Sequence, residues 1–273
     1  MVTTLQFEAG AVADNYHRYL EPVLFAPWAE RLVAHAGVRR GDVVVDLASG
    51  TGVVARAAAR AAGPQGRVIA TDISARMLSY ASRGSHPGSA AVEPRVCDAT
   101  ALDVPDSSAD VVLCQQGLQF TGDHLAVLRE CHRVLRPGGV VAVSVWATGE
   151  RLDPFDAYAE ALNAGVAGSG ARVFSNDSVT MSVLAIVDAL CLARFDSITA
   201  GTRSLVVRWP TVDAELAALF GTPFGPIVER MDGERRDDVL SAARAVLGRD
   251  DGRTHDHLTV SVFGRGVRGP LAS

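Results

Sequence analysis

Between Asp42 and Trp146, five short runs of apolar, mainly β-branched residues alternate with segments of helical periodicity. Runs that are apolar at nearly every position are typical of strands covered by helices on both faces. The alternation therefore predicts βαβ units built on a mostly parallel sheet. The predicted strands are residues 43–47, 67–71, 93–97, 110–114 and 140–146, and the predicted helices between them are residues 53–62, 74–83 and 123–135.

The segments on either side of this core have weaker patterns. Residues 15–38 are rich in aromatic side chains, and Pro22 and Pro27 predict two helices interrupted by proline. Beyond the core we predict helices at 154–163, 179–193, 213–220 and 237–247, strands at 198–209 and 258–263, and a mobile Gly/Ser-rich hinge at 164–172. We divide the chain into a helical prelude that covers the site (1–41), a ligand-binding core (42–150) and a substrate-selecting region (151–273), the last with a helical insertion, or small cap, at about 210–249.

Composition excludes several kinds of chemistry. The 273 residues include no lysine, so a Schiff-base lysine, a pyridoxal-phosphate lysine and a Walker-type phosphate lysine are all impossible. The net charge of −5 predicts no attraction to nucleic acid. No run approaches the roughly 20 apolar residues of a membrane span, and the N-terminus lacks the pattern of a signal peptide. We therefore expect a cytoplasmic protein with no membrane insertion.

No metal site is predicted. The four cysteines lack the CxxC spacing of zinc ligands. His255 and His257 flank Asp256, and we interpret them as part of a solvated turn.

The segment VVVDLASGTGVVA, residues 43–55, carries the clearest functional signal. It predicts a strand that reaches Asp46, a turn in which Gly50 and Gly52 let the backbone approach a ligand, and then a helix. The same two glycines are also compatible with a turn that has no ligand, because short glycine motifs have many false positives.

Residues 50–55 also satisfy the dinucleotide fingerprint GxGxxG/A, with Asp72 about 20 residues further on, so an NAD(P)-dependent oxidoreductase is one hypothesis. Two features oppose it. Asp46 places a carboxylate beside the loop, where it would repel a diphosphate but attract the ammonium and sulfonium groups of S-adenosylmethionine. A prelude of about 40 residues also precedes the first strand, whereas dinucleotide domains often open with that strand.

Two acidic residues follow the second and third predicted strands. Asp72 can accept hydrogen bonds from both ribose hydroxyls, or it can cap the following helix. Asp98 can accept a hydrogen bond from an adenine amino group, with the Ala99 backbone nearby, or it can form a turn. Met77 is suited to pack on an adenine face and equally suited to the core.

Together, DLASGTG (46–52), ATDIS (70–74), CDA (97–99), VVLCQQGLQF (111–120) and RVLRPGGVVAVSVW (133–146) resemble class I S-adenosylmethionine-dependent methyltransferases of the ubiquinone/menaquinone-biosynthesis-like group. The resemblance covers about residues 15–147. It implies an α/β, Rossmann-like three-layer sandwich with a mostly parallel seven-stranded sheet, and S-adenosyl-L-methionine as cofactor, with S-adenosyl-L-homocysteine as product.

The resemblance also implies the donor-binding residues. Asp46, Ala48, Gly50 and Gly52 would line the methionine part, and Asp72, Ile73 and Met77 the ribose and adenine. Asp98 and Ala99 would hold the adenine edge, Gln115 and Gln116 would touch the donor near its methyl group, and Tyr16 would close over the donor carboxylate. Ala48 and Ser49 stand where the family more often has Gly and Cys.

The acceptor is expected outside the carboxyl ends of the strands, as in other open α/β sheets. Candidate lining residues predict a small, partly apolar metabolite; they are Tyr16, Tyr19, Phe25, Trp28, Phe120, Trp146, Phe155, Tyr158, Phe220 and Phe224. His17 and His124 are candidates for a general base, and we expect a monomer or homodimer. A protein that binds the donor without methylating, as a rearrangement catalyst or a regulator, is the remaining hypothesis.

Overall fold

The computed structural model describes residues 11–83, 86–166, 179–247 and 255–270. The hinge predicted at residues 164–172 falls largely outside these ranges. Within them the chain forms one sheet of eight strands flanked by helices. The strands are β1 (Val43–Leu47), β2 (Arg67–Asp72), β3 (Ala91–Val96), β4 (Ala109–Gln115), β5 (Leu135–Ala147), β6 (Thr180–Met181), β7 (Phe195–Trp209) and β8 (His255–Arg268).

The sheet has the strand order β3-β2-β1-β4-β5-β8-β7, with the two-residue β6 beside the end of β5. Strands β1 to β6 pair in parallel, whereas β8 is antiparallel to both β5 and β7. The chain order reverses between β1 and β4, and the carboxyl ends of parallel strands at such a switch point form a ligand crevice. The predicted mostly parallel α/β fold is confirmed, but the sheet has eight strands instead of the expected seven, because the two-residue β6 adds to the edge of β5.

The α-helices of the described residues are α1 (Val12–Asn15), α2 (Ala26–Ala36), α3 (Val53–Ala62), α4 (Ala75–Leu78), α5 (His124–Val134), α6 (Phe155–Val166), α7 (Val183–Leu192), α8 (Val212–Ala218), α9 (Gly225–Glu229) and α10 (Gly233–Leu247). Several begin at a side-chain cap that the sequence supplies. Asp123 accepts a hydrogen bond from the Ala126 amide at 2.8 Å, and Ser182 accepts one from the Ala185 amide at 3.1 Å.

Residues 12–36 of the prelude form one continuous helical segment, so the predicted interruption at the prolines is wrong. Tyr16–Phe25 is π-helical and joins α1 to α2. Pro22 lies within the π-helical segment, and Pro27 lies in the first turn of α2.

Apolar side chains fill both sides of the sheet. On one face the prelude, α2 and α3 pack over residues such as Val44, Leu113 and Trp146. On the other face α5 and α7 cover Val112 and Val143. The sheet is thus the middle of three layers. None of the helices that the structure describes is long and apolar enough to cross a bilayer.

A smaller third cluster forms the cap. Helices α8, α9 and α10 lie between β7 and β8 and pack against α6 through Tyr158, Leu162, Leu219 and Val239. The division of the chain at residues 41 and 150 stays a prediction.

Several predicted boundaries are wrong. The helix predicted at 74–83 ends at Leu78 and continues as turns. Strand β5 begins at Leu135 instead of Val140, because residues 136–139, including Pro137 and the glycine pair, extend along β4 through a register shift. The helix predicted at 179–193 begins only at Val183, after the two-residue β6, and the strands β7 and β8 and the helix α10 begin three or four residues earlier than predicted. Short α9 was not predicted.

Candidate active site

The turn from β1 to α3 brings the backbone to the carboxyl edge of the sheet. Ala48, Gly50 and Gly52 all have left-handed backbone angles, with φ of 52°, 55° and 85°. Alanine adopts this conformation at a steric cost that glycine does not have. The Ser49 amide donates to the Thr71 carbonyl at 2.9 Å, which ties the turn to β2.

Gly50 and Gly52 have different surroundings. A Cβ on Gly50 would stand 3.5 Å from the Met77 Cε, an ordinary contact, and Gly50 lines the central cavity. A Cβ on Gly52 would stand 2.4 Å from the Ala81 Cα, which the backbone cannot accommodate. Gly52 is buried against the segment after α4 and does not line the cavity, so its placement fits the close packing of turn and helix better than the predicted contact with a ligand.

Asp72, at the end of β2, organises this turn. One carboxylate oxygen accepts the Gly50 amide at 2.8 Å, and the other accepts the Ser74 amide at 2.9 Å. Ser74 itself caps α4 by accepting from the Met77 amide at 3.1 Å. Each carboxylate oxygen can accept a further hydrogen bond, so Asp72 can hold the turn and still receive hydroxyl donors from a ligand.

Asp46 is a buried carboxylate in the same corner. Its side chain is 1% exposed, and it accepts a hydrogen bond from the Ser49 hydroxyl at 2.6 Å. Burial raises the pKa of Asp46 to about 7, against the opposing effect of the Ser49 hydrogen bond, and the Asp72 charge raises it further. A cationic group placed here would favour the ionised form, so the corner is suited to an ammonium ligand.

These residues open onto a cavity of about 570 Å³ at the carboxyl edge of the sheet. Its wall contains all but Gly52 of the predicted donor-binding residues: Tyr16, Asp46, Ala48, Gly50, Asp72, Ile73, Met77, Asp98, Ala99, Gln115 and Gln116. What each of them binds stays a prediction.

Three wall residues suit the flat, partly polar surface of an adenine. Ile73 is 51% exposed although it is a large apolar residue. Met77 is 5% exposed and packs with Ala13 and Tyr80, so it belongs to the core and the wall at once. One oxygen of Asp98 accepts both the amide and the hydroxyl of Thr100, which lowers the pKa of Asp98 and keeps it ionised. Asp98 therefore forms the predicted turn and keeps a free oxygen to accept another hydrogen bond.

Two glutamines stand at the end of β4, in the middle of the sheet. The Gln115 Nε2 donates to the Phe25 carbonyl at 3.0 Å, which binds the prelude to the strand. Gln116 has a left-handed φ of 53°, and its Nε2 donates to the Ser261 hydroxyl on β8 at 3.0 Å. The glutamines thus connect the cavity floor to both the prelude and the antiparallel end of the sheet.

Tyr16, in the π-helical segment, forms part of the cavity roof. Its ring stacks on Phe25 with 5.0 Å between centroids. Burial raises the pKa of Tyr16, and the charges of Glu21, Asp72 and Asp46 raise it further, so the phenol stays neutral. The hydroxyl is a hydrogen-bond donor held near these three carboxylates.

The remainder of the wall is aromatic and aliphatic. Phe25 and Trp146 have ring centroids 6.2 Å apart, and Trp146 and Phe155 have centroids 6.5 Å apart. Of the aromatic residues predicted to contact an acceptor, six line the cavity: Tyr16, Phe25, Phe120, Trp146, Phe155 and Phe224. Trp28 and Tyr158 are buried core residues instead, and Tyr19 and Phe220 pack beside other clusters.

The sequence interpretation missed a buried polar cluster beneath the prelude. Glu21 is 8% exposed and accepts hydrogen bonds from the Thr51 hydroxyl and the Arg56 guanidinium. Arg56 also donates to the Thr51 carbonyl at 2.7 Å. A glutamate next to Pro22 within an apolar helical stretch was a usable signal, because a buried charge needs a partner.

The histidine predictions have mixed outcomes. Neither His17 nor His124 lines the cavity; His17 contacts Glu21 at 3.0 Å.

The predicted solvated turn at His257 is wrong. His257 lies on β8, where its ring contacts the buried Glu215 of α8 at 3.2 Å and Asp153 at 3.7 Å. These carboxylates are distant in sequence, so local reading could not find them. No metal-binding cluster of three such side chains occurs in the described residues.

Comparison with known proteins agrees with this geometry. Residues 45–143 match the sequence profile of a family described as "Methyltransferase domain". The chain is 39% identical over 136 residues to the ubiquinone/menaquinone biosynthesis C-methyltransferase UbiE of Cupriavidus taiwanensis, covering 48% of this chain and 55% of that protein. The chain therefore spans about half the length of the curated relatives it matches.

Two solved structures share the fold. The YcgJ protein from Bacillus subtilis has a TM-score of 0.57 at 16% identity, covering 89% of this chain and 99% of that one. Phosphoethanolamine N-methyltransferase 2 from Haemonchus contortus, solved with S-adenosyl-L-methionine, has a TM-score of 0.55 at 18% identity, covering 89% of this chain and 53% of that one.

The glycine turn and the carboxylates at the ends of β1 and β2 lie within residues 45–143, which match the methyltransferase domain. The curated relatives are UbiE C-methyltransferases, so the predicted resemblance to S-adenosyl-L-methionine-dependent methyltransferases of the UbiE-like group is confirmed.

Proposed function

We propose that this protein transfers a methyl group from S-adenosyl-L-methionine to a small, partly apolar metabolite. Natural-product biosynthesis is one pathway type in which such a reaction would occur. The observation that carries the proposal is that two chemically different sets of residues line one cavity. One set is the carboxylates from the ends of β1 and β2 and from the segment after β3, and the other is the aromatic rings from the prelude, β5 and α6.

The carboxylates of the cavity wall fit the donor by their chemistry. Asp46 presents a carboxylate to an ammonium, Asp72 keeps acceptor capacity for ribose hydroxyls, and Asp98 keeps it for an adenine amino group. When bound, the donor supplies an activated methyl group on a positively charged sulfur. The carboxylates would stabilise that positive charge, whereas they would repel the diphosphate of a dinucleotide.

The aromatic rings of the cavity wall suit an acceptor of low charge. Among the described residues, the ionisable side chains of the wall are Tyr16, Asp46, Asp72, Cys97, Asp98 and Asp123, none of them basic. Burying an anionic acceptor beside these carboxylates without a paired cation would be unfavourable. The Phe25–Trp146–Phe155 surface instead offers stacking to a ring or an apolar skeleton.

We propose that the chain accelerates transfer mainly by positioning the acceptor. Positioning two reactants can supply a large part of a rate enhancement, whereas a general base contributes typically 10²–10⁴-fold. Since His17 and His124 both lie off the cavity wall, we expect substitution of either by alanine to leave the single-turnover rate within about tenfold.

The testing experiment has two stages. Calorimetry should show S-adenosyl-L-homocysteine binding at micromolar or tighter affinity and no comparable binding of NADH. Incubation with methyl-labelled donor and a fractionated metabolite extract should then give a labelled small molecule, identified by mass spectrometry. Binding of NADH in place of the homocysteine product would overturn the proposal in favour of the oxidoreductase. Tight binding of the product with no labelled acceptor from any extract would favour the non-methylating alternative.

No observation on the site favours either the NAD(P)-dependent oxidoreductase or the donor-binding protein that does not methylate. The cytoplasmic location, the absence of a nucleic-acid partner and the monomeric or homodimeric state stay predictions from composition and resemblance.

A further inference from the structure

Two ion pairs fasten the prelude to helix α3, and they lie in different environments. Glu21 pairs with Arg56 where their side chains are 10% and 13% exposed. Glu30 pairs with Arg60 one turn further along α3, where the side chains are 59% and 48% exposed. Exposed pairs contribute little to stability, whereas a buried carboxylate is tolerated only with its hydrogen bonds made. The two pairs connect the same elements, so a role in fastening helices alone does not explain why one is buried.

The buried pair differs by reaching the glycine turn. The Thr51 hydroxyl donates to Glu21, and the Thr51 carbonyl accepts from Arg56 at 2.7 Å. Thr51 lies between Gly50 and Gly52, which both have left-handed backbone angles. Arg56 also donates to the Tyr80 carbonyl at 3.3 Å, which connects the turn to the segment after α4.

Thr51 does not itself line the cavity, but its neighbour Gly50 does. The Gly50 amide donates to Asp72, the residue suited to hold the ribose. On the other side of the cluster, Glu21 belongs to the same π-helical segment as Tyr16. The contacts therefore run from the roof of the cavity, through Glu21 and Thr51, to the donor-binding turn.

We propose that Glu21 is a positioning residue for donor binding, acting through the Thr51 hydroxyl to hold the glycine turn and the prelude in register. This inference rests on the proposed function, because the ligand it concerns is the methyl donor. It adds a residue that touches neither donor nor acceptor. Loss of the Thr51 hydroxyl alone should loosen the turn and weaken the donor, even with the Glu21–Arg56 pair intact.

The test compares Glu21→Gln, Thr51→Val, Thr51→Ser and the control Glu30→Gln by calorimetry with S-adenosyl-L-homocysteine and by thermal unfolding. Valine has nearly the shape of threonine without the hydroxyl, and serine keeps the hydroxyl. We expect Glu21→Gln and Thr51→Val each to weaken binding at least tenfold, Thr51→Ser less than threefold and Glu30→Gln less than twofold. The double variant Glu21→Gln/Thr51→Val should be little worse than either single variant, because both changes disturb the same contact between residues 21 and 51.

Variants that unfold at lower temperature but bind the ligand within twofold of wild type would show a purely structural role and overturn the inference. If Glu21→Gln does not fold, Thr51→Val decides the matter, since it leaves every charge in place. Failure of the wild-type protein to bind S-adenosyl-L-homocysteine would instead contradict the proposed function, and the two failures are thereby distinguished.

Discussion

Gly221 of the cap lies directly against the backbone of Tyr16 in the prelude: a Cβ on Gly221 would stand 2.6 Å from the Tyr16 nitrogen and 2.8 Å from its Cα. Both residues line the cavity. The cap and the prelude, which come from opposite ends of the chain, therefore close the site by a backbone contact that admits no side chain.

This contact predicts that adding a single methyl group at residue 221 destabilises the protein. Gly221→Ala should destabilise the protein by about 1–3 kcal/mol, the usual effect of overpacking, because backbone and not a flexible side chain would have to move. Urea unfolding measures the change. Gly233→Ala is the matched control, since nothing lies within 4 Å of a Cβ there. Equal stability of the two variants would contradict the close approach.

Asp72 is predicted to be the most important single side chain for donor affinity. Asp72→Ala would remove hydrogen bonds to the ribose, each worth about 1.5–3 kcal/mol when one partner is charged, and would also release the Gly50 amide. Calorimetry with S-adenosyl-L-homocysteine should show at least a tenfold loss. Asp103→Ala, at a carboxylate that is 81% exposed, should bind as the wild type does. Unchanged affinity in Asp72→Ala would refute its role in the site.

The buried Asp46 predicts that donor binding depends on pH. Because the pKa of Asp46 is raised to about 7, the free protein is partly protonated at neutral pH. An ammonium ligand prefers the carboxylate, so affinity should be full above pH 7 and fall below it, by up to about tenfold per pH unit. Calorimetry with S-adenosyl-L-homocysteine from pH 5.5 to 8.5 tests this.

Asp46→Asn provides the control for the pH effect. It should bind weakly at every pH, with no slope below pH 7. Its ligand-free form should be more stable than the wild type above pH 7, because a raised carboxyl pKa means that ionising Asp46 costs stability in the fold; the advantage should vanish near pH 4. A wild-type affinity that is flat from pH 5.5 to 8.5 would argue against an ammonium beside Asp46.

His257 predicts a second pH dependence, this time of stability. Burial acts to lower the pKa of His257, but the hydrogen bond and charge of Glu215 and the charge of Asp153 outweigh it, and the pKa is raised. A raised histidine pKa stabilises the fold below about pH 6.5, and this contribution is lost as pH rises through the folded pKa. His257→Gln should thus differ most from the wild type at pH 5–6 and least at pH 8.5 in urea unfolding. His86→Gln, at an exposed histidine, should show no such trend; an equal trend in both would disprove the assignment.

Phe155 is predicted to act on the acceptor and not the donor. Its ring lines the cavity beside Trp146, with 6.5 Å between the ring centroids. Once an acceptor is identified, Phe155→Ala should raise its KM at least tenfold while the affinity for S-adenosyl-L-homocysteine stays within threefold. Similar losses for both ligands would show that Phe155 does not act on the acceptor alone.

The sequence predicted correctly that three acidic residues line one cavity, because each lies close to the end of a strand of obvious pattern. Asp46, Asp72 and Asp98 are close to the carboxyl ends of β1, β2 and β3, and parallel pairing alone brings such ends together. Gly52 had the right residue type for the turn, but the packing of Ala81 against it is a tertiary contact that no spacing reveals.

The polar clusters could not be predicted in the same way. Glu21 meets Thr51 and Arg56 across 30 and 35 residues, and His257 meets Glu215 across 42. Such pairs depend on how the prelude and the cap dock on the sheet, which local periodicity does not encode. The π-helical segment was likewise hidden, because Pro22 is ordinarily a sign of interruption.

The hairpin of β7 and β8 has a consequence for how this fold can diversify. The two strands remain paired up to Trp209 and His255, so the chain leaves the sheet for the cap and returns to it at neighbouring positions. A segment anchored at adjacent points can change in length at small entropic cost, roughly 0.6 kcal/mol for each doubling. If the cap selects the acceptor as predicted, we expect its exchange between relatives to change acceptor preference and to leave β1 to β4 as they are.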